Sequence, residues 1–320
     1  QFIDNSINEN SFNELQICPQ IFIQNKMNGN IPFPITLDFQ NCLFQNNYSP
    51  KKGGALSYGK NKFNSNTKLL FNDCHFINNR AEEGGSALSL IVYQGCEINK
   101  CEFVKNRAEK GSGSIYIETD FEVPNSNEKP SANPIVNIND CTFENNEGID
   151  AGIVINSSPN AQVNILKCTF LNCGNSGHVI NIESNVQSTN IQQCNVKYNT
   201  EVGSGGIFIH STGKIEISNN DFIQTSTDSS LSIESDEASE IISVTQCLFE
   251  SCTGNIHSCF DISIKTDSFI FKNIVVEKSK LTGCQNYIGS FNLKESFVFA
   301  MTNVSFIENS CSSLYGGGTG

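Results

Sequence analysis

Arginine is nearly absent from this chain, with only Arg80 and Arg107 in 320 residues. Together with a net charge of −13, that scarcity argues against nucleic acid, whose phosphates require clustered Lys and Arg. Long apolar runs are missing as well, and none approaches the ~18 residues that mark a membrane span. No stretch shows an apolar stripe at the helical period, and the polar segments hold Asn, Ser, Asp and Gly rather than good helix formers. Helices are therefore expected to be incidental. No Cys-x-x-Cys pair and no Cys/His cluster has zinc spacing, so neither a metal nor a cofactor is expected.

What the chain does have is a motif, Cys-x-Phe-x-x-Asn, that recurs at a settled interval. The Phe position is filled by Phe44, Phe76, Phe103, Phe143, Phe170, Val196, Phe222, Phe249, Val276 and Phe306. The steps between them are 32, 27, 40, 27, 26, 26, 27, 27 and 30 residues, and self-similarity at such a period marks a repeat architecture. Each copy is entered by β-branched alternation, as in Ile135 to Phe143 or Ala161 to Phe170, which reads as a strand. Cys141 and Phe143 then share one face and Thr142 the other. An Asn-rich turn follows, and a small-residue cluster (Gly53-Gly54-Ala55-Leu56, Gly85-Ser86-Ala87-Leu88, Gly205-Gly206-Ile207-Phe208) opens a second short strand.

Short strands, no helices and identical positions stacked coil upon coil predict an all-β, single-stranded, right-handed parallel β-helix of the pectin-lyase-like kind. Roughly ten coils at about 4.8 Å would make a rod on the order of 50 Å long. One elongated domain over 1–320 is the simplest organisation, because a solenoid extends one core instead of splitting it. Both termini read as repeat fragments, which suggests a segment of a longer chain. The long steps hold polar insertions, 59–67 and 119–134, both lying between a small-residue strand and the next Cys-Phe strand. They should project from one side of the rod and are the first place to seek a partner.

Inside the rod, Phe44, Phe76, Phe103, Phe143 and Phe170 are expected to stack. Asn47, Asn79, Asn106, Asn146 and Asn199 should form a carboxamide ladder that pairs shielded backbone groups at one corner. Cys42, Cys74, Cys101, Cys141, Cys168, Cys194 and Cys247 form an inward series interrupted by Asn220 and read as a buried thiol stack. Three Cys-x-x-x-x-Cys pairs, Cys96 with Cys101, Cys168 with Cys173 and Cys247 with Cys252, are the disulfide candidates. Arg80 and Arg107 occupy equivalent places and suggest a small surface ion-pair ladder. Asn47, Asn156 and Asn303 head Asn-x-Ser sequons; Asn47 belongs to the ladder, so Asn156 is the glycosylation candidate.

Phe-x-x-Asn followed about ten residues later by Gly-Gly-Ala-aliphatic, clearest from Phe44 to Leu56, Phe76 to Leu88 and Phe103 to Ile115, resembles the repeat of the polymorphic outer membrane protein family. The motifs are sharp up to about Asn146 and drift beyond it, where Cys173 and Cys252 replace the Asn. The resemblance implies a right-handed β-helical surface or secreted protein.

For function, the expectation is a non-catalytic extracellular or cell-surface rod. Its structural or adhesive role would engage a protein or glycan at a cell surface, or further copies through the open ends of the helix. A carbohydrate-binding or polysaccharide-degrading β-helix is the first alternative and an intracellular scaffold the second. Catalytic chemistry on this fold needs converging carboxylates. Asp38, Asp73, Asp140 and Asp150 appear scattered over different faces, and His178, in Gly177-His178-Val179, reads as structural, so no catalytic residue is assigned.

Overall fold

The structure is a computed structural model. It describes residues 2–3, 21–23, 35–59, 67–111, 113–119, 133–157, 160–174, 177–183, 186–198, 206–225, 229–239, 241–254, 259–266, 268–278, 280–281, 288–293 and 298–311. They form an all-β parallel solenoid in which every strand pairing is parallel and joins one coil to the next.

A coil has three faces. Face 1 carries the longer strands, such as Gly95–Asn99, Ile135–Asn139 and Gln162–Leu166. Face 2 carries three-residue strands, such as His75–Ile77, Glu102–Val104 and Thr142–Glu144. Face 3 carries strands that follow the small-residue clusters, such as Ile115–Glu118, Ile153–Asn156 and Ile180–Glu183. The Phe positions are the register marks: Phe44 pairs with Phe76, Phe76 with Phe103, Phe103 with Phe143, and so on through Val276 and Phe306. The regular stack makes about seven turns, fewer than the ten repeats counted in the sequence. In the strand Val298–Ile307, near the C-terminal end of the stack, Val298, Phe299, Met301, Phe306 and Ile307 are exposed instead of enclosed.

Two backbone corners bracket each face-2 strand. Non-glycine residues with left-handed φ sit five residues apart at both, as at Asp73 and Asn78, Lys100 and Lys105, Asp140 and Asn145, and Lys167 and Asn172; beside Asn195–Lys197 only Gln193 has it. The conformation costs an L-residue on the order of 1 kcal/mol, and it turns the chain sharply enough to send Cys101 and Asn106 inward while Lys100 and Lys105 face out. The small-residue corner is steric: Gly85 has φ +57°, and a Cβ there would lie 2.3 Å from the Leu88 carbonyl oxygen.

Packing follows the register. Phe44, Phe76, Phe103 and Phe143 stack on one another with ring centroids 4.8 Å apart, and Phe170 continues the column at 4.7 Å. Val196 interrupts it, and Phe222 and Phe249 resume it at 4.8 Å. The spacing equals the strand repeat, so each ring covers the next without a void.

Asn47, Asn79, Asn106 and Asn146 form the expected ladder. Asn79 Oδ1 accepts from Asn47 N and Nδ2 at 3.1 and 2.8 Å, and Asn106 Oδ1 accepts from Asn79 N and Nδ2 at 2.9 and 3.0 Å. Asn106 Nδ2 donates to the Phe76 carbonyl at 2.8 Å. Asn199 lies outside the described residues. Cys173 takes the next rung, accepting from Asn146 Nδ2 at 3.6 Å.

The surface ion pairs follow the same logic. Arg80 and Arg107 pair in register, and both reach Glu109 Oε1, at 2.8 and 2.9 Å.

Candidate functional site

Cysteine fills the other corner. Cys74, Cys101, Cys141, Cys168 and Cys194 are buried, and each thiol donates to the carbonyl two residues back and to a face-1 carbonyl of the preceding coil. Cys141, for example, reaches the carbonyls of Asn139 at 3.3 Å and Ile98 at 3.4 Å. The thiols thus add a second donor to corner carbonyls that already accept a backbone N–H from the preceding coil, as Asn139 does from Lys100 N at 2.9 Å.

The disulfide candidates are corrected here. Cys96, Cys101, Cys168, Cys173 and Cys247 are free thiols, so none of the three pairs is bridged. Cys168 and Cys173 belong to the two different corners at either end of the strand Thr169–Leu171, and Cys247 and Cys252 flank Leu248–Glu250 likewise. Five residue steps near 3.3 Å span about 16 Å when extended, and the single corner between the members of each pair does not bring them within the ~7 Å limit for a bridge. Cys96 sits within a face-1 strand, aligned with Leu69 and Val136, away from the corner that holds Cys101. Burial pushes the Cys173 thiol up to about 11 and the Cys247 thiol up to about 12.

Asn156 is the last residue of a face-3 strand, and its Nδ2 donates to Tyr116 Oη at 3.0 Å. Asn303, at the other sequon outside the ladder, is exposed. The insertions lie, apart from their ends, outside the described residues, but their ends leave face 3 after Tyr58 and Glu118 and enter face 1 at Thr67 and Ile135.

The outer side of face 3 concentrates functional groups. In the strands Ile153–Asn156, Ile180–Glu183, Ile207–His210 and Leu231–Ser239, first and third positions face the core. Second and fourth positions therefore face out and line up in rows: Val154, Asn181, Phe208 and Ser232, beside Asn156, Glu183, His210 and Glu234. Although outward, Asn181 is only 6% exposed.

Asp150 and His178 come from the segments that lead into two of these strands. Asp150 Oδ1 accepts from the His178 backbone N at 2.9 Å and lies 3.8 Å from its Nδ1. Asp150 Oδ2 accepts from Asn181 Nδ2 at 2.9 Å, and the same nitrogen donates to Glu183 Oε1 at 3.2 Å. The His178 ring lies 5.3 Å from that of Phe208. Gly177, with φ +85°, makes this possible: a Cβ there would stand 2.6 Å from Asp150 Oδ1.

Two carboxylates, an imidazole, an amide and an aromatic ring thus meet across three coils. Asn156 Oδ1 and Asn181 Oδ1 are shielded and accept no hydrogen bond. A buried acceptor without a donor is an unmet demand, and a ligand hydroxyl or amine could answer it. Among the described residues no group of three His, Cys, Asp or Glu side chains could hold a metal ion.

Sequence reasoning placed Asp150 and His178 apart. The signal that joins them is the register of Ile153 with Ile180, which sets Asp150 beside Gly177 and one residue from His178.

No family model, curated protein or solved structure matches the chain. Among the described residues no helix is long and apolar enough to cross a membrane.

Proposed function

We propose that this protein is a non-catalytic β-helical rod acting at a cell surface or outside the cell, and that it holds a glycan or a protein partner along the outer side of face 3. The observation that carries the reading is the pair of adjacent rows, one with Asn181 and Phe208 and the other with Asn156 and His210, together with the Asp150–His178 pair; their groups repeat at the coil interval and include two unanswered acceptors. A row of this form suits a ligand lying along the rod axis, with the aromatic ring supplying an apolar platform and the amides and carboxylates directional hydrogen bonds. The resemblance of the Phe44 to Leu56 segment and its copies to the polymorphic outer membrane protein repeat supports a surface location and an adhesive role.

The test is a glycan array together with a surface-protein binding screen, using the 320-residue chain and the variant Phe208→Ala/His178→Ala. Binding by the parent and at least tenfold weaker binding by the variant supports the reading. Equal binding by both moves the contact elsewhere.

One observation favours a second reading, a polysaccharide-degrading enzyme. Asp150 Oδ2 and Glu183 Oε1 share one donor, so they lie within roughly 6 Å of each other, near the separation of paired carboxylates in glycoside hydrolysis. Release of reducing ends from acidic or neutral polysaccharides, lost in both Asp150→Asn and Glu183→Gln, would establish it in place of the first.

A further inference from the structure

The outward residues at the corner between faces 1 and 2 form a second, independent pattern. Four consecutive coils place Asp73, Lys100, Asp140 and Lys167 there, all with left-handed φ and all exposed. Adjacent coils are about 4.8 Å apart, so charge alternates along the rod over roughly 14 Å. The row is bounded by uncharged residues: Asn41 precedes it, and Gln193, Asn219 and Gln246 follow it at the same corner.

None of the four charged side chains forms an ion pair among the described residues, although oppositely charged neighbours stand on successive coils. The contrast with the rod's other charged edge is informative. There Lys51 pairs with Glu83, Arg80 and Arg107 with Glu109, and Lys110 with Glu82. At the Asp73 corner the side chains instead rim a groove of about 540 Å³, whose lining includes Asn72, Asn99 and Asn139. Those amides are linked to one another, with Asn99 Nδ2 donating to Asn72 Oδ1 and Asn139 Nδ2 to Asn99 Oδ1. The amide row stops at Leu166, which leaves Asn139 Oδ1 without a donor.

We propose that this corner pairs with the same corner of a second copy, the two rods running antiparallel about a two-fold axis between the Lys100 and Asp140 coils. Read in one direction the row is minus, plus, minus, plus; read in reverse it is plus, minus, plus, minus. A two-fold axis therefore sets Asp73 against the partner's Lys167 and Lys100 against the partner's Asp140, and repeats both contacts by symmetry. All four positions are complementary in that arrangement. Parallel alignment in register sets like charge on like at every position, and a parallel slide by one coil leaves only three matched positions and does not close. The flanking amides meet no mismatched charge. The row is also locally neutral in a chain of net charge −13, so it is a place where two acidic rods can approach. Exposed ion pairs are individually weak and screened by salt, so the pairing is weak and salt-dependent.

Charge reversal tests it. Sedimentation velocity of the 320-residue chain should show a dimer at high protein concentration in low salt that dissociates at 0.5 M NaCl. The variants Lys100→Glu/Lys167→Glu and Asp73→Lys/Asp140→Lys, each with a row of one sign, should be monomeric alone and should dimerise when mixed. Carbodiimide coupling of isotopically mixed parent protein should join Lys100 of one copy to Asp140 of the other and Lys167 to Asp73. A parent that stays monomeric in low salt, single-sign variants that dimerise like the parent, or couplings confined to Lys100–Asp73 and Lys167–Asp140 would each overturn the proposal. Circular dichroism of each variant separates these outcomes from loss of fold.

Discussion

Asn220 stands next to Cys194 in the thiol column and performs the thiol's task with a carboxamide. Its Nδ2 donates to the Ile191 carbonyl at 3.0 Å, as the Cys194 thiol donates to the Ile165 carbonyl at 3.6 Å, and its Oδ1 accepts from the Cys194 backbone N at 2.8 Å. At the opposite corner the exchange runs the other way, with Cys173 continuing the Asn column. Cys and Asn are thus alternative answers to one requirement, a small inward donor for a corner carbonyl.

This equivalence predicts the behaviour of Asn106. Asn106→Ala removes the acceptor of Asn79 N and Nδ2 and the donor to the Phe76 carbonyl, and should cost about 3–5 kcal/mol, since each orphaned buried group costs ~1–3. Asn106→Cys should recover part of that loss. Urea unfolding of the three proteins measures it, and equal instability of the Ala and Cys variants would contradict the equivalence.

Phe103 is sandwiched between Phe76 and Phe143 at 4.8 Å on each side. Phe103→Ala should destabilise by ~3–5 kcal/mol through lost apolar contact and the cavity left behind. Phe103→Val should cost less, because Val196 already occupies an equivalent rung with full burial. Thermal unfolding ranks the two.

The buried thiols should be inert in the native state. Iodoacetamide at pH 8 should leave Cys96, Cys141, Cys173 and Cys247 unmodified until denaturant is added, as peptide mass mapping would show. Their pH linkage also has a definite sign. Burial raises Cys173 from the ordinary 9.0 to about 11 and Cys247 to about 12. Above pH 9 the unfolded chain therefore releases protons that the native one keeps, and stability falls as pH climbs through 9 to 12. Cys173→Ala should lack its share of that slope, on the order of 3 kcal/mol.

Arg107→Ala should change stability by less than ~1 kcal/mol, despite contacts with both Glu109 and Glu147, because its side chain is largely exposed and the pairs are screened. Differential scanning calorimetry in 0.05 and 0.5 M NaCl checks this, with the difference vanishing in high salt.

The rod was legible in the sequence wherever a physical requirement repeats. The Phe column and the Asn ladder recur over several consecutive coils, so a position that departs from them, such as Val196, is recovered from its neighbours. The Cys-x-x-x-x-Cys spacing misled because linear proximity hides the backbone corner, at Lys100, Asn172 or Ser251, that falls between the members of each pair. The contact of Asp150 with His178 occurs once, across one coil, and depends on Gly177 having no side chain. Such a contact leaves no periodic trace and is read only from strand register.

The two left-handed corners bracket a segment of constant length in every coil that has both, from Asn41 and Asn46 through Asn303 and Glu308; only the Gln193 coil lacks the second. That segment acts as the thread pitch of a screw. One residue added inside it would displace a Phe, a Cys or an Asn from its column and propagate through the stack as a dislocation. The connections from face 3 to face 1 carry no such gauge and absorb the 59–67 and 119–134 insertions without disturbing the columns on either side. New loops are therefore best grafted along that one seam, at coil-interval spacing, while the opposite edge of the rod admits substitution but no change of length.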